Sequence, residues 1–157
     1  MSTFQRLRPH TGHLAAMAVF GGYTAGWTVL VRRMGRSLPA SVNPWDVLFT
    51  AAATFRLSRL VGKATVTRPI RAPFTHVESA GAPAELNETP SSERGRHTAG
   101  ELISCPFCLS VWIVTTLTGA QLMWPRATKT ASGALTALAA ADALQLAYTA
   151  LTQKAEH

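Results

Sequence analysis

The eighteen residues Leu14–Val31 (LAAMAVFGGYTAGWTVLV) contain no charge. As a helix rising 1.5 Å per residue they cover about 27 Å, close to the thickness of a bilayer's hydrocarbon core. Gly21, Gly22 and Gly26 would weaken a helix in water, but in lipid they permit close helix–helix approach. Arg32 and Arg33 follow at once, with no small-residue cleavage site of the kind that ends a signal peptide. A first membrane span over about 14–31 is therefore expected.

Three further blocks follow the same logic with less purity. Asn43-Pro44 has the form of a helix start, Asn as cap and Pro in the first turn, and predicts a helix over about 44–61. It carries Asp46, Arg56 and Arg59. At 100° per residue, Arg56, Arg59 and Lys63 fall within about 60° of one another, a basic stripe along the last turns. Such a stripe suits an interfacial or bundle-facing helix with snorkelling arginines, or an anion site for lipid headgroups or a ligand. Two more apolar blocks predict spans over about 103–124 and 131–151, the last with a lone Asp142 near its middle.

The segments between them are polar. Val66–Phe74 (VTRPIRAPF) is expected to be extended, because a residue before proline avoids the helical region. Residues 75–100 are rich in Ser, Pro, Glu, Gly and Thr and predict a mobile loop, whose Glu78, Glu85, Glu88 and Glu93 counter nearby basic groups. The fold expected is all-α, one polytopic membrane domain over 1–157 with about four transmembrane helices and a polar central loop.

Charge places this fold and excludes one partner class. Charged residues are 15% of the chain, against about 25% in ordinary soluble domains. A net charge of +7 on a soluble protein would point to nucleic acid. Here the basic residues flank apolar blocks, as membrane proteins use them, so the lipid bilayer and not nucleic acid is the expected partner. With four spans, one side carries Arg6, Arg8, Lys63, Arg68, Arg71, Arg94, Arg96 and Lys154; the other carries Arg32, Arg33, Arg36, Arg126 and Lys129. The positive-inside rule then puts both termini and the central loop in the cytoplasm of a multi-pass cell-membrane protein. Arg56 and Asp142 come to similar depth in helices of the same direction. Unpaired charges there are costly, so the two are expected to face each other, directly or through water, as a structural ion pair; the alternative is an Asp142 that is protonated or hydrogen-bonded to a threonine.

Cys105 and Cys108, the only cysteines, form a CxxC where the central loop meets the third apolar block. Three chemistries fit. As a thiol–disulfide oxidoreductase, Cys105 at a helix start would attack and Cys108 would resolve, although a second cysteine pair to relay electrons is lacking. As a metal site, the pair would need His76, His97 or Glu101, or a second CxxC from another protomer of a homo-oligomer. As buried thiols in a reducing compartment they would simply pack.

The order ATFRLSRL (Ala53–Leu60), VTRPIRAPF, a polar stretch and GELISCPFCLSVW (Gly100–Trp112) resembles an uncharacterised bacterial membrane-protein family, domain of unknown function number 1360, some of whose members are labelled sporulation proteins. The resemblance covers roughly 44–124, leaving the first and last spans outside. It implies a small multi-span membrane protein and supplies no activity, cofactor or catalytic residue. It singles out Arg56, Arg59, Thr67, Arg68, Pro69, Arg71, Pro73, Phe74, Glu101, Cys105, Pro106, Cys108 and Trp112 as matching its motifs. The reading is a non-enzymatic membrane protein whose cytoplasmic face binds a protein partner or anionic lipid through Arg56, Arg59, Lys63, Arg68, Arg71 and Glu101.

Overall fold

The computed structural model describes residues 8–93 and 96–155. Arg6 and Arg94, two of the cations in the charge bias, lie outside the described residues. The order is α1 (Arg8–Arg33), α2 (Pro44–Gly62), a 3-10 turn (Thr65–Thr67), α3 (Arg68–Arg71), β1 (Thr75–Ala80), β2 (Leu86–Pro90), α4 (His97–Ser104), α5 (Pro106–Met123) and α6 (Pro125–Ala155).

Contacts give the directions of the four long helices. Phe20 meets Trp112 edge to face at 5.0 Å, Tyr23 Oη lies 2.7 Å from Thr116 Oγ1, and Trp27 lies over Gly119, so α1 and α5 run parallel. Lys129 Nζ reaches Asp46 at 3.0 Å, Thr136 Oγ1 donates to the Phe49 carbonyl at 3.2 Å, and Arg56 reaches Asp142 at 3.0 Å, so α2 and α6 are also parallel. Gly62, at the end of α2, packs on Leu109 and Pro106 at the start of α5, which makes these two antiparallel. The start of α1, the hairpin and the end of α6 therefore share one end of the bundle. The 34–43 connection and the α5–α6 corner share the other.

Among the described residues three helices are long and apolar enough to cross a membrane: α1 from Gly12, α5 and α6. α2 falls short because Asp46, Arg56 and Arg59 interrupt it. The described chain buries few large apolar side chains and turns many outward, among them Leu14, Met17, Val19, Leu144, Leu146 and Leu151. Outward apolar surface on this scale is unusual in water and compatible with a lipid bilayer.

Several expectations are corrected. The fold is mostly helical but not all-α: 75–90, expected as loop, is an antiparallel hairpin pairing Thr75 with Pro90 and Ala80 with Leu86, with an irregularity between Val77 and Ser79. Its composition concealed it because what it buries is polar: Glu88 and Thr75 point inward, not large apolar groups. The TRPIR segment is not extended but forms the 3-10 turn and α3. Proline is tolerated in a helix's first turn, where its missing N–H costs no hydrogen bond. The third apolar block is broken at Cys105, whose extended backbone separates α4 from α5. Residues 125–130, expected as a connection, are the first turns of α6, again opened by a proline.

Candidate functional site

Any helix ends with carbonyls that lack helical partners, and the end of α2 shows how this chain supplies them. Thr67 Oγ1 donates to the Leu60 carbonyl. Arg71 Nη1 donates to the Val61 carbonyl at 2.7 Å and to Thr67 Oγ1 at 2.8 Å; Nη2 donates to the Ala64 carbonyl at 3.0 Å. A guanidinium here also complements the negative end of the helix dipole.

The rest of Arg71 is spent on Glu88. Nε and Nη2 reach the two carboxylate oxygens at 2.7 and 3.2 Å, and Thr75 Oγ1 adds a bond to Oε2 at 2.9 Å. All five N–H groups of Arg71 thus have partners, and its side chain is fully buried. A buried pair is tolerable when hydrogen bonds satisfy both ions; here every donor of Arg71 is used and both carboxylate oxygens of Glu88 accept. Burial works against the Glu88 carboxylate, but the bonds from Arg71 and Thr75, with the charges of Arg71 and Arg68, outweigh it and hold its pKa below the ordinary carboxylate value.

The hairpin tip is tied to the same helix end. Arg59 grips Glu85 through Nε at 2.9 Å and Nη2 at 2.6 Å. Leu86 N donates to the Lys63 carbonyl at 2.9 Å, and Thr65 N to the Ala84 carbonyl at 3.0 Å. On the other side Gly100 of α4 lies so close to the Phe74 carbonyl and Pro90 that a side chain has no room. Helix end, α3, hairpin and α4 form one cap over that end of the bundle.

Cys105 and Cys108 sit where this cap joins α5. Both are free thiols and lie 3.0 Å apart. Cys105 is the N-cap of α5, and its Sγ accepts the Cys108 N–H at 3.4 Å. Burial opposes its thiolate. Bonds from the Cys108 thiol and from the Cys108 and Phe107 backbones, with the charge of Lys63, more than offset this, so its pKa lies below that of an ordinary thiol. Glu101 Oε2 lies 3.5 Å from His97 Nδ1 and 3.7 Å from His13 Nε2. Among the described residues no group of three His, Cys, Asp or Glu side chains is placed to hold a metal ion.

The predicted binding residues therefore part company. Arg71 is sealed inside the cap, Arg59 is held by Glu85 and Arg56 by Asp142; among the buried side-chain nitrogens and oxygens of the described residues, Arg56 Nε alone has no hydrogen-bond partner. Lys63, half-buried, and Arg68, exposed, have no ion-pair partner among the described residues. Val66 (78%) and Ile70 (57%), close to them in the chain, are exposed apolar side chains, and so is Phe107 (85%), two residues past Cys105. The sequence predicts that Glu85 and Glu88 counter nearby basic groups, but their particular partners, Arg59 and Arg71, lie 26 and 17 residues away and cannot be assigned from sequence. The available signal was local: two short polar runs around Gly81-Ala-Pro-Ala84, the punctuation of a hairpin.

A family profile described as "Protein of unknown function (DUF1360)" matches residues 48–148. The match runs from the first turns of α2 well into α6 and so takes in Asp142, beyond the 44–124 expected from the motifs. Among curated proteins the chain is similar to "Sporulation protein YjcA" of Bacillus subtilis (strain 168). The two are 34% identical over 90 residues, which cover 55% of this chain and 75% of that protein. No solved structure matches.

Proposed function

The chain belongs to the DUF1360 family of proteins of unknown function, and we propose that it is a non-enzymatic, four-span membrane protein whose cap docks a protein partner on the cytoplasmic side. One observation carries this. The motif residues with the strongest chemistry are used up internally, Arg71 most completely, while Val66, Ile70 and Phe107 are exposed and Lys63 and Arg68, which flank Val66 in the chain, have no ion-pair partner among the described residues. A rigid cap that hides its charges and shows apolar and basic groups suits a partner with apolar and acidic side chains better than a lipid headgroup. α2 serves as the fourth span in this reading, its Arg56 and Asp46 neutralised by α6. The positive-inside bias supports both termini and the cap in the cytoplasm.

Reporter fusions at residues 40, 85 and 157 test the topology; residue 85 outside the cytoplasm overturns it. Photo-crosslinkers at Ile70 and Phe107, with one at Leu144 on α6 as control, test the docking surface. A protein adduct of one mass from the cap positions alone is expected, and lipid adducts alone at all three sink the reading.

A second reading rests on the geometry of Cys105 and Cys108. Cys105 thiolate would attack a substrate disulfide, displacing one thiolate; Cys108 would then attack the mixed disulfide, releasing the second and leaving a Cys105–Cys108 disulfide. Trapping of thiols in intact cells, with and without reductant, decides it: a pair found always reduced excludes this cycle.

A further inference from the structure

The end of the bundle opposite the cap holds two adjoining apolar clefts that the docking reading does not use. The first, about 570 Å³, lies between α1 and α5 beyond the Trp27–Gly119 contact, with Val31 on its wall and Arg32 at its end. The second, about 770 Å³, lies between the 35–43 connection, the start of α2 and α5. Arg36, Ser37, Leu38, Val114, Thr118 and Leu122 border both. One arginine, with a serine beside it, thus stands between two apolar clefts.

The charge is one-sided. Among the described residues no acidic group pairs with Arg32, Arg33 or Arg36. Asp46 and Lys129, which border the second cleft, hold each other at 3.0 Å and cancel. Around the clefts the surface is apolar and outward, with Met34 (54%), Leu38 (78%) and Val42 (67%) exposed. The first cleft follows α1 from Thr24 to Val31, about 10 Å at 1.5 Å per residue.

We propose that these two clefts hold one two-chain anionic phospholipid, an acyl chain in each, with Arg36 and Arg32 on its phosphate. The proposal takes the membrane reading as its premise but concerns a different surface from the cap. Two clefts that meet at one arginine match two chains that meet at one phosphate. Unpaired cations at a membrane surface favour an anionic headgroup, and apolar walls at chain depth match hydrocarbon.

The test uses the full chain, delipidated in mild detergent and measured by native mass spectrometry. Phosphatidylglycerol is compared with phosphatidylcholine of the same chains, and with glycerol 3-phosphate and inorganic phosphate. One phosphatidylglycerol per chain is expected, preferred several-fold over phosphatidylcholine, with neither soluble phosphate retained. Arg32→Gln and Arg36→Gln should each weaken retention roughly fivefold. Arg33→Gln removes the same charge but borders neither cleft and should change little. Thr118→Trp fills the wall common to both clefts and should reduce both lipids alike. Equal retention of the two lipids by the unaltered chain overturns the proposal. So does an Arg33→Gln loss as large as that of Arg36→Gln, or retention of glycerol 3-phosphate as tight as that of the lipid. Failure of the membrane premise shows separately, as extraction of the chain without detergent.

Discussion

Arg71 and Glu88 meet through two hydrogen bonds of 2.7 and 3.2 Å, and neither side chain reaches solvent beyond 2%. The same guanidinium closes the end of α2, so one residue fastens a helix to a hairpin. Removing it leaves a buried carboxylate and several carbonyls without partners. Arg71→Ala should lower stability by about 3–5 kcal/mol, as when one member of a buried pair is deleted. Arg71→Lys should rescue little, since an ammonium cannot reproduce the two-pronged grip on Glu88. Thermal melts in detergent measure both. A double change of Arg71→Ala with Glu88→Ala should cost less than the two single changes added, and strict additivity would show that the pair is uncoupled.

The same pair sets a pH dependence. Glu88 titrates below its ordinary value in the folded chain, so between the two values the unfolded state binds more protons. Stability then rises with pH in that window. The contribution is complete above the unfolded carboxylate range, near pH 4–5, and fades as pH falls through the lower folded value. Melts from pH 7 to pH 3 should show this acid loss in the unaltered chain. Glu88→Gln should flatten that part of the profile while melting lower at neutral pH. An unchanged acid limb in the variant would mean that other carboxylates control it.

Arg56 and Asp142 make a different kind of link, side by side at 3.0 Å between α2 and α6. With Asp46–Lys129 it forms two ties, 10 residues apart on α2 and 13 apart on α6. Arg56→Asp or Asp142→Arg alone puts two like charges together and should reduce folded yield. The exchange of both should recover much of it. Failure of the exchange to recover yield would assign the two charges to separate roles.

How far these features were readable from sequence differs for physical reasons. Asp142 is a lone charge in a long apolar stretch, Arg56 is one of three charges in α2, and helical rise with chain order brings the two to one depth. Asn43-Pro44 announces α2 through local chemistry, and the Asn43 side chain does accept the Trp45 N–H at 3.0 Å. The cap was concealed because its logic is non-local. Pro69 and Pro73 read as extended chain, yet Thr67 and Arg71 are drawn into a turn by carbonyls of α2 that periodicity cannot see. The hairpin buries a carboxylate and a hydroxyl where patterning looks for Val or Ile. The break at Cys105 was missed because the apolar run continues through it; only Pro106 marks the new start.

The thiols at the α4–α5 corner offer a chemical readout of their surroundings. Cys105 caps α5 and takes the Cys108 N–H, and the nearby Lys63 charge favours its thiolate. Alkylation needs the thiolate, so rate against pH reports its formation. Cys108→Ser keeps a side-chain donor and the backbone N–H, and its remaining Cys105 should react at lower pH than an ordinary thiol. Lys63→Gln in that background should move the profile upward by removing the favourable charge. If the profile does not move, the helix start alone accounts for the reactivity. A Cys105 that reacts only in the ordinary thiol range would instead make the pair a packing element of the α4–α5 corner, beside the close approach of Gly62 to Leu109 and Pro106.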